Sequence, residues 1–542
     1  MKKLPIGIQN FRKIIEGGYV YADKTEYIYE LINSGVCYFL SRPRRFGKSL
    51  LLDTIAELFG GDKELFRGLW IYDSDYVFKK HPIIRLDMTL MITKDPSELE
   101  RSINKRLTEY CEAESLQIEP DAPSERFQAI IRALYAKYDE RVVVLVDEYD
   151  SPVLDYITQT EMADANRTVI RNFFRILKGM DAFLHFIFFT GVSKFTRTSL
   201  FSELNNLNDI SLSEDYVNIC GFTHKDLTTL FLEHLADLKS MDKFSSLPEN
   251  GKDCLLDQIH LWYDGYSWDG KTRVFNPFSL LSFFNKKNFL PFWFESGTPS
   301  FLIELIKRDP ESFQRVDGAV MNAAALDAMD IGSLSAVALM FQTGYLTIQK
   351  IEWQIRRLPR YTFVSPNMEV RAAFNQHIVV GLTGISIDSS QSAQESMLDA
   401  LDTGEPEKLA DVLHRLFASI PYELHIDAEA YYHSILYAIL GWLGFHIEAE
   451  VSTSRGRIDG VLELPPASAS DKGKVYVIEC KYSRPEAGKD QDILLEEAIT
   501  RGFTQINDRG YSERYAGLGN EIYKTVIAVT GRDKVKVRHI RA

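Results

Sequence analysis

Two groups of residues in this 542-residue chain have the types and spacing to handle phosphate. The first is Gly47-Lys48-Ser49, closing the stretch SRPRRFGKS. An apolar run ends at Leu40 ahead of it, and an apolar-periodic segment runs on to Phe59. Strand, loop and helix in that order surround an anion with backbone N–H groups and the positive end of a helix. In the pattern GxxxxGKS/T the lysine reaches the β and γ phosphates of a nucleotide and the hydroxyl ligates Mg²⁺. Lys48 and Ser49 take those positions. Arg42 stands where the first glycine would be, and a side chain is costly wherever the backbone turns left-handed. Either the loop opens differently, or Arg42, Arg44 and Arg45 add charge beside the phosphates. The expected nucleotide contacts are Arg42, Arg44, Arg45, Phe46, Gly47, Lys48, Ser49 and Leu50, with ATP and Mg²⁺ as ligands.

Downstream, VVVLVDEYDSP (residues 142–152) reads as a buried parallel strand that delivers Asp147 and Glu148 at its C-terminal edge. Asp147 is then the metal-side acid, and Glu148 the base that polarises attacking water. A third strand, residues 184–190, leads into TGVSK. Thr190, Ser193 and Lys194 are candidates for sensing the γ phosphate, Ser193 counting among the cofactor contacts. Arg197 could act as an arginine finger, in cis or in trans.

The second group lies near the C-terminus. GRIDG places Asp459 on a strand, and KVYVIECKY (residues 474–482) carries Glu479 and Lys481 on one side of the next. A helix over residues 427–442 bears Glu429 and His433 on a shared face. Paired carboxylates hold one or two Mg²⁺ ions that activate water and neutralise a scissile phosphodiester. A neighbouring lysine stabilises the developing charge. An acid followed by ExK arises readily on exposed strands of alternating charge. Here the pair interrupts Val475, Val477 and Ile478, where charges need partners or metal. His433 reads better as a packed or capping histidine than as a ligand.

The elements that must position these residues suggest two to four domains for a chain of this length. Composition is that of a globular protein, 45% apolar and 25% charged. A net charge of −14 argues against permanent non-specific duplex binding but suits an acidic metal site. The basic C-terminal RDKVKVRHIRA reads as a solvated last strand rather than a phosphate contact. Five scattered cysteines without metal-ligand spacing indicate a reducing compartment. No signal peptide follows Lys2-Lys3, and the apolar run at residues 183–192 is too short to span a membrane. A soluble, cytoplasmic protein without a membrane partner is expected. Residues 262–284 and 291–306 are dense in aromatics; a compact lid core fits them better than a platform for single-stranded bases. Residues 334–350 and 361–371 read as a helix with a two-strand ribbon, a winged-helix-like module. Residues 388–393 read as a turn or linker. The resulting division is 1–220, 221–380, 381–420 and 421–542, with a doubly wound parallel sheet in the first part.

YVYADKT, LSRPRRFGKSLLLDTI, VVVLVDEYDSP and FTGVSKFTRTSLFSELNNLNDISL resemble the AAA-ATPase-like family of bacterial proteins, relatives of AAA+ and archaeal STAND-type ATPases. The family's loop commonly reads RPRRFGKS, so Arg42 departs from the general motif and not from this subgroup. The C-terminal part resembles the PD-(D/E)xK nuclease domain that accompanies it. The resemblance implies an α/β chain: a P-loop NTPase parallel sheet, a helical and winged-helix-like lid, and a restriction-endonuclease-like nuclease domain. It assigns Glu429 to the helix acid, Asp459 and Glu479 to metal, Lys481 to catalysis and Gln505 to a supporting role. The expected function is ATP hydrolysis coupled to a Mg²⁺-dependent nuclease acting on nucleic acid, DNA before RNA. Defence against foreign DNA or mobile-element processing suits that pairing, and a homo-oligomer is compatible with it. One alternative is a STAND-like signalling switch whose nuclease fold only binds; another is a nucleic-acid-binding ATPase with a structural nuclease domain.

Overall fold

The computed structural model describes residues 1–194, 206–245, 247, 254–293, 318–327, 335–353, 355–420, 429–443, 447–453, 456–464, 473–486, 488–508 and 521–542. Within these, the side chains of residues 387, 429–431, 433, 434, 437 and 447–459 lie outside what the structure describes. The chain forms two compact units, one of Met1–Glu295 with Val316–Asn367, the other built on Met368–Ala542.

The first unit centres on five parallel strands: β1 (Cys37–Ser41), β2 (Ile83–Asp87), β3 (Val142–Asp147), β4 (Leu184–Gly191) and β5 (Asn208–Asp209). Their order is β2-β3-β4-β1-β5. Because side chains alternate across a strand, Phe39, Val144, Val146, Ile187 and Phe189 face one side. There they meet Leu99, Ile103 and Leu107 from the helix Pro96–Ala113. That helix starts where Asp95 accepts the Glu98 N–H and proline takes the first turn. The opposite face is covered by α1 (Lys48–Phe59), whose Phe59 ring lies 5.5 Å from that of Phe186. Covered on both faces, β3 needs apolar residues throughout, and it has them up to Asp147.

The same unit contains α2 (Ala336–Thr343) and an antiparallel sheet of β6 (Val320–Asn322), β7 (Thr347–Glu352) and β8 (Arg360–Val364), ordered β6-β8-β7. Gly344 ends α2 at φ 94°, donating to Met340 and Phe341 carbonyls. It also lies so close to the loop after β1 that a Cβ there would sit 2.7 Å from the Pro43 Cβ.

The second unit sets helices against a five-stranded sheet ordered β13-β12-β11-β10-β9. These are β9 (Ile447–Thr453), β10 (Gly456–Leu464), β11 (Lys474–Ser483), β12 (Glu521–Thr530) and β13 (Lys534–Arg541). Only the β11–β12 pairing is parallel, so β12 is reached by a crossover that contains α4 (Gln491–Asp508). One sheet face packs Val475, Val477 and Val526 under α4. The other packs Tyr476, Ile478 and Ile527 against α3 (Glu429–Trp442) and the helices before it.

The turn expected at residues 388–393 is instead the start of the helix Ile387–Thr403, whose cap is Ser386 accepting from Ser389 N–H. Its serines and glutamines lie mostly outward while Met397, Ala400 and Leu401 join the core, so its polarity is that of a helix surface. Residues of Met368–Thr383 pack into the same cluster. No helix among the described residues is long and apolar enough to cross a membrane.

Gly344→Ala forces a side chain into left-handed backbone and against Pro43. It is expected to destabilise the first unit by about 1–3 kcal/mol, read as a lower denaturant midpoint with an unchanged slope.

Candidate active sites

The segment from Arg42 to Phe46 is not a flexible glycine loop; it is fastened residue by residue. Arg42 continues β1, its N–H donating to the Gly191 carbonyl at 3.1 Å, and is absent from the left-handed positions, which fall at Arg45 (φ 66°) and Gly47 (φ 89°). The Arg42 guanidinium is fully buried. It donates to the carbonyls of Ser41, Ser211 and Tyr216 and lies 3.8 Å from the centroid of Trp268. Burial pulls it down to about 10, so it remains a cation at neutral pH. Pro43 abuts Gly344, the Arg44 carbonyl accepts from the Trp293 indole at 3.3 Å, and Arg45 lies 3.7 Å over Phe278. Phe46 meets Tyr266 and Trp268 edge-on. Of the three guanidinium groups, Arg44 is the exposed one.

Gly47 then turns left-handed with open space where a Cβ would stand, and no side chain caps the first N–H groups of α1. An uncapped helix start with a lysine at its head fits a nucleotide's phosphates. Lys48 is buried, its Nζ bonded to the carbonyls of Arg42 and Pro43 and paired with Glu148 Oε1 at 2.9 Å. Glu148 reaches it because the chain turns left-handed there, at φ 48°, a conformation held only under tertiary constraint. Asp147, still in β3, accepts from the Thr190 hydroxyl at 2.5 Å. Ser49 and Leu50 are half-buried on the first turn of α1.

Beyond β4, Ser193 donates through both its N–H and its hydroxyl to Asp150, each at 2.6 Å, and Tyr149 donates to the Ser193 carbonyl. The Lys194 ammonium is buried against Asp209 at 3.0 Å, and its N–H donates to Gln342, on α2. Thr190 thus meets Asp147, Ser193 meets Asp150 and Lys194 meets Asp209, while Arg197 lies outside the described residues. Asp150 was not singled out from the sequence. It closes the DEYD run, and a second carboxylate two positions after Glu148 was the available signal. The contacts of Trp268, Phe278 and Trp293 with the loop carry no local signal at all.

In the second unit, Val475, Val477, Glu479 and Lys481 alternate along one face of β11. Glu479 is fully buried and its Oε1 lies 2.8 Å from the Lys481 Nζ, which is half-buried. Asp459 directly precedes Gly460, which pairs with Ile478, the residue before Glu479. Glu429 begins α3. The side chains of Glu429, His433 and Asp459 lie outside the described residues. Gln505 is half-buried on α4, the helix that covers this face. Among the described side chains, Glu479 beside the Lys481 ammonium is a carboxylate of the kind a hard divalent cation takes. The basic last strand is neutralised locally: Lys536 and Arg538 pair with Glu496, and Arg541 with Glu521.

Residues 5–201 match the AAA-ATPase-like family model, described as a predicted AAA-ATPase, and residues 427–539 match a model of the PD-(D/E)XK nuclease superfamily. Over 529 residues the chain is 38% identical to a protein of Azotobacter chroococcum mcd 1 described as an uncharacterized protein in the vnfD 5′ region. That alignment covers 96% of this chain and 95% of the relative. Two solved structures of Drosophila ORC with DNA and Cdc6 align at 8% and 9% identity over 77% and 74% of this chain and 71% and 70% of theirs. Their TM-score of 0.22 is too low to carry any argument.

Asp150 supplies a pH-dependent prediction. Burial first, and the charge of Glu148 second, push its carboxyl up to about 6, against the pull of Ser193. A raised carboxyl favours the folded state while protonated, so its contribution is fully present below about pH 4 and is lost as pH rises through about 6. The stability of the wild type relative to Asp150→Asn should therefore decline across that interval in denaturant titrations. A gap independent of pH would contradict the assignment.

Proposed function

This chain belongs to the family of AAA-ATPase-like proteins that end in a PD-(D/E)XK nuclease domain, and from that premise we propose that it is an ATP-controlled, metal-dependent nuclease. The observation that carries the reading is one arrangement made twice. A lysine–glutamate contact with one partner buried and the other half-buried occurs in each unit, Lys48–Glu148 at 2.9 Å just beyond β3 and Lys481–Glu479 at 2.8 Å along β11.

At the first site, Lys48 exchanges Glu148 for the nucleotide's phosphates, and Glu148, once released, orients the attacking water. Asp147 and Ser49 would hold Mg²⁺, which supplies charge neutralisation to phosphoryl transfer. Arg42 acts as a brace of the loop and not as a phosphate contact, because its donors already serve three carbonyls. Arg44 remains the exposed cation of the segment. Ser193 positions the loop through Asp150. Arg197 is assigned as a finger in cis or, in a homo-oligomer, in trans.

At the second site, Asp459 and Glu479, with Glu429, would hold Mg²⁺, which supplies an activated water for phosphodiester cleavage. Lys481 then leaves Glu479 to stabilise the developing negative charge, and Gln505 supports the cluster from α4. Nucleic acid is the proposed partner and DNA the first substrate. Removal of foreign DNA or processing of mobile elements in the cytoplasm suits an ATPase joined to a nuclease.

A second reading, an ATP-driven switch whose nuclease fold only binds, is favoured by the fastening of the phosphate loop to aromatic residues of the middle segment. Purified protein incubated with Mg²⁺ or Mn²⁺ and linear, circular or single-stranded DNA, or RNA, separates the two. Lys481→Ala should lose cleavage by about 100-fold or more while still hydrolysing ATP. Glu148→Gln should keep nucleotide binding and lose hydrolysis by about 100-fold or more, whereas Lys48→Ala should lose binding. Cleavage altered by ATP in the wild type and unaltered in Lys48→Ala supports control. No cleavage of any substrate, with ATP still hydrolysed, favours the switch.

A further inference from the structure

The hairpin between β7 and β8 carries side chains that the fold does not use. Trp353 is 71% exposed, Ile355 94% and Leu358 53%. Large apolar side chains gathered at one tip mark an interaction site. Arg356, Arg357 and Arg360 are interleaved with them and are exposed as well. Glu352, the one acid on this ribbon, is held by Lys350 at 2.7 Å. Among the described residues no carboxylate pairs with Arg356 or Arg357, in a chain whose net charge is −14. On the last strand, by contrast, Lys536, Arg538 and Arg541 each contact a glutamate.

The turn adds an independent sign. Arg356 adopts φ 71°, where glycine or asparagine would close a hairpin with less strain. A long cation in a position that favours glycine is a local conflict, and such conflicts concentrate where a side chain serves a ligand. The backbone below is regular: Glu352 pairs with Arg360 and Lys350 with Thr362 across the antiparallel ribbon. The tip is therefore presented on ordered strands, and β7 begins three residues after Gly344, which is packed against Pro43.

We propose that the β7–β8 hairpin tip is a docking site for duplex DNA, with Arg356, Arg357 and Arg360 on the phosphates and Trp353 and Ile355 wedged against the groove. The proposal rests on the reading of this chain as a nuclease. Arginines that neutralise phosphates supply affinity through counterion release. Aromatic and aliphatic side chains beside them insert at the edges of base steps and favour a bent or widened groove. A two-stranded ribbon has the width to enter a groove. An anionic membrane would also attract arginine and tryptophan. DNA is favoured because the same chain carries a nuclease-superfamily domain, whose chemistry acts on a phosphodiester polyanion.

The test is fluorescence anisotropy of a labelled DNA duplex with the full chain in EDTA, titrated across salt. The Arg356→Ala/Arg357→Ala double variant should bind on the order of tenfold more weakly, with the slope of log K against log salt smaller by nearly two. Trp353→Ala should weaken binding while leaving the slope in place. ATP hydrolysis without DNA should match the wild type in both, which reports that they are folded. Wild-type affinity and slope in the double variant would overturn the proposal, as would no duplex binding by the wild type. Loss of binding to phosphatidylglycerol vesicles, with duplex binding kept, would assign the tip to a membrane instead. Metal-dependent cleavage that depends on Lys481 but is untouched by the hairpin variants would discard this site and leave the nuclease reading standing.

Discussion

A buried guanidinium without a carboxylate against it is among the more demanding groups a protein can enclose. Arg42 is such a group, and the first unit gives its two terminal nitrogens partners while Nε has none among the described residues. Three carbonyls from two segments, Ser41 at the end of β1 and Ser211 and Tyr216 after β5, converge on its nitrogens, and the face of Trp268 covers it. The strand ending, the segment after β5 and the aromatic middle of the chain are thereby tied to one point. The phosphate loop inherits its shape from that tie. Lys48 donates to the carbonyls of Arg42 and Pro43, so the residue that would meet a phosphate is positioned by the residue that replaced a glycine. A glycine-rich loop reaches the same end by adopting backbone angles freely. Here rigidity comes from side chains, and left-handed backbone is needed at Arg45 and Gly47 alone within the segment.

The placement of the candidate groups was legible wherever it is local in sequence. Gly47-Lys48-Ser49 after a strand, acids ending an apolar run at Asp147, and Glu479 with Lys481 on an apolar strand each state their spacing within a few residues. The parallel sheet followed from the same runs, since strands buried on both faces cannot alternate. What could not be read is what long-range packing decides. Nothing near Arg42 says that its partners lie at positions 211, 216 and 268, and nothing near Trp293 says that its indole meets Arg44. The aromatic density of residues 262–284 identified a core but not what it encloses. The stretch at 388–393 misled for a different reason. Its serines cap and coat a helix, and a polar helix surface has the same composition as a linker.

The two lysine–glutamate pairs have one physical property in common. In each a cation and an anion neutralise one another, one of them buried and the other half-buried. Removing one partner from such a pair costs several kcal/mol because the other is left buried and uncompensated. A phosphate that takes Lys48 from Glu148 replaces one anion with another and keeps the cation satisfied. The cost then falls on Glu148, which must find water or a donor, and that is the state in which a carboxylate can orient a nucleophile.

The same reasoning limits how a nucleotide can act beyond its own site. A ligand shifts a conformational equilibrium only by the difference in its affinity for the two states. The phosphate loop is in contact with Gly344 at Pro43 and with Phe278 and Trp293 through Arg45 and Arg44, and the segment after β4 reaches Gln342 through Lys194. Any change in the loop that moves Pro43 or Lys194 must be accommodated by α2 and the ribbon that follows it, because a close-packed junction cannot absorb displacement as empty space. Gly344 and Pro43 approach too closely for a single methyl group, so the position of β7 is set by the loop to within that tolerance. The close contact of Pro43 with Gly344 joins the phosphate loop to the end of the helix that leads into β7.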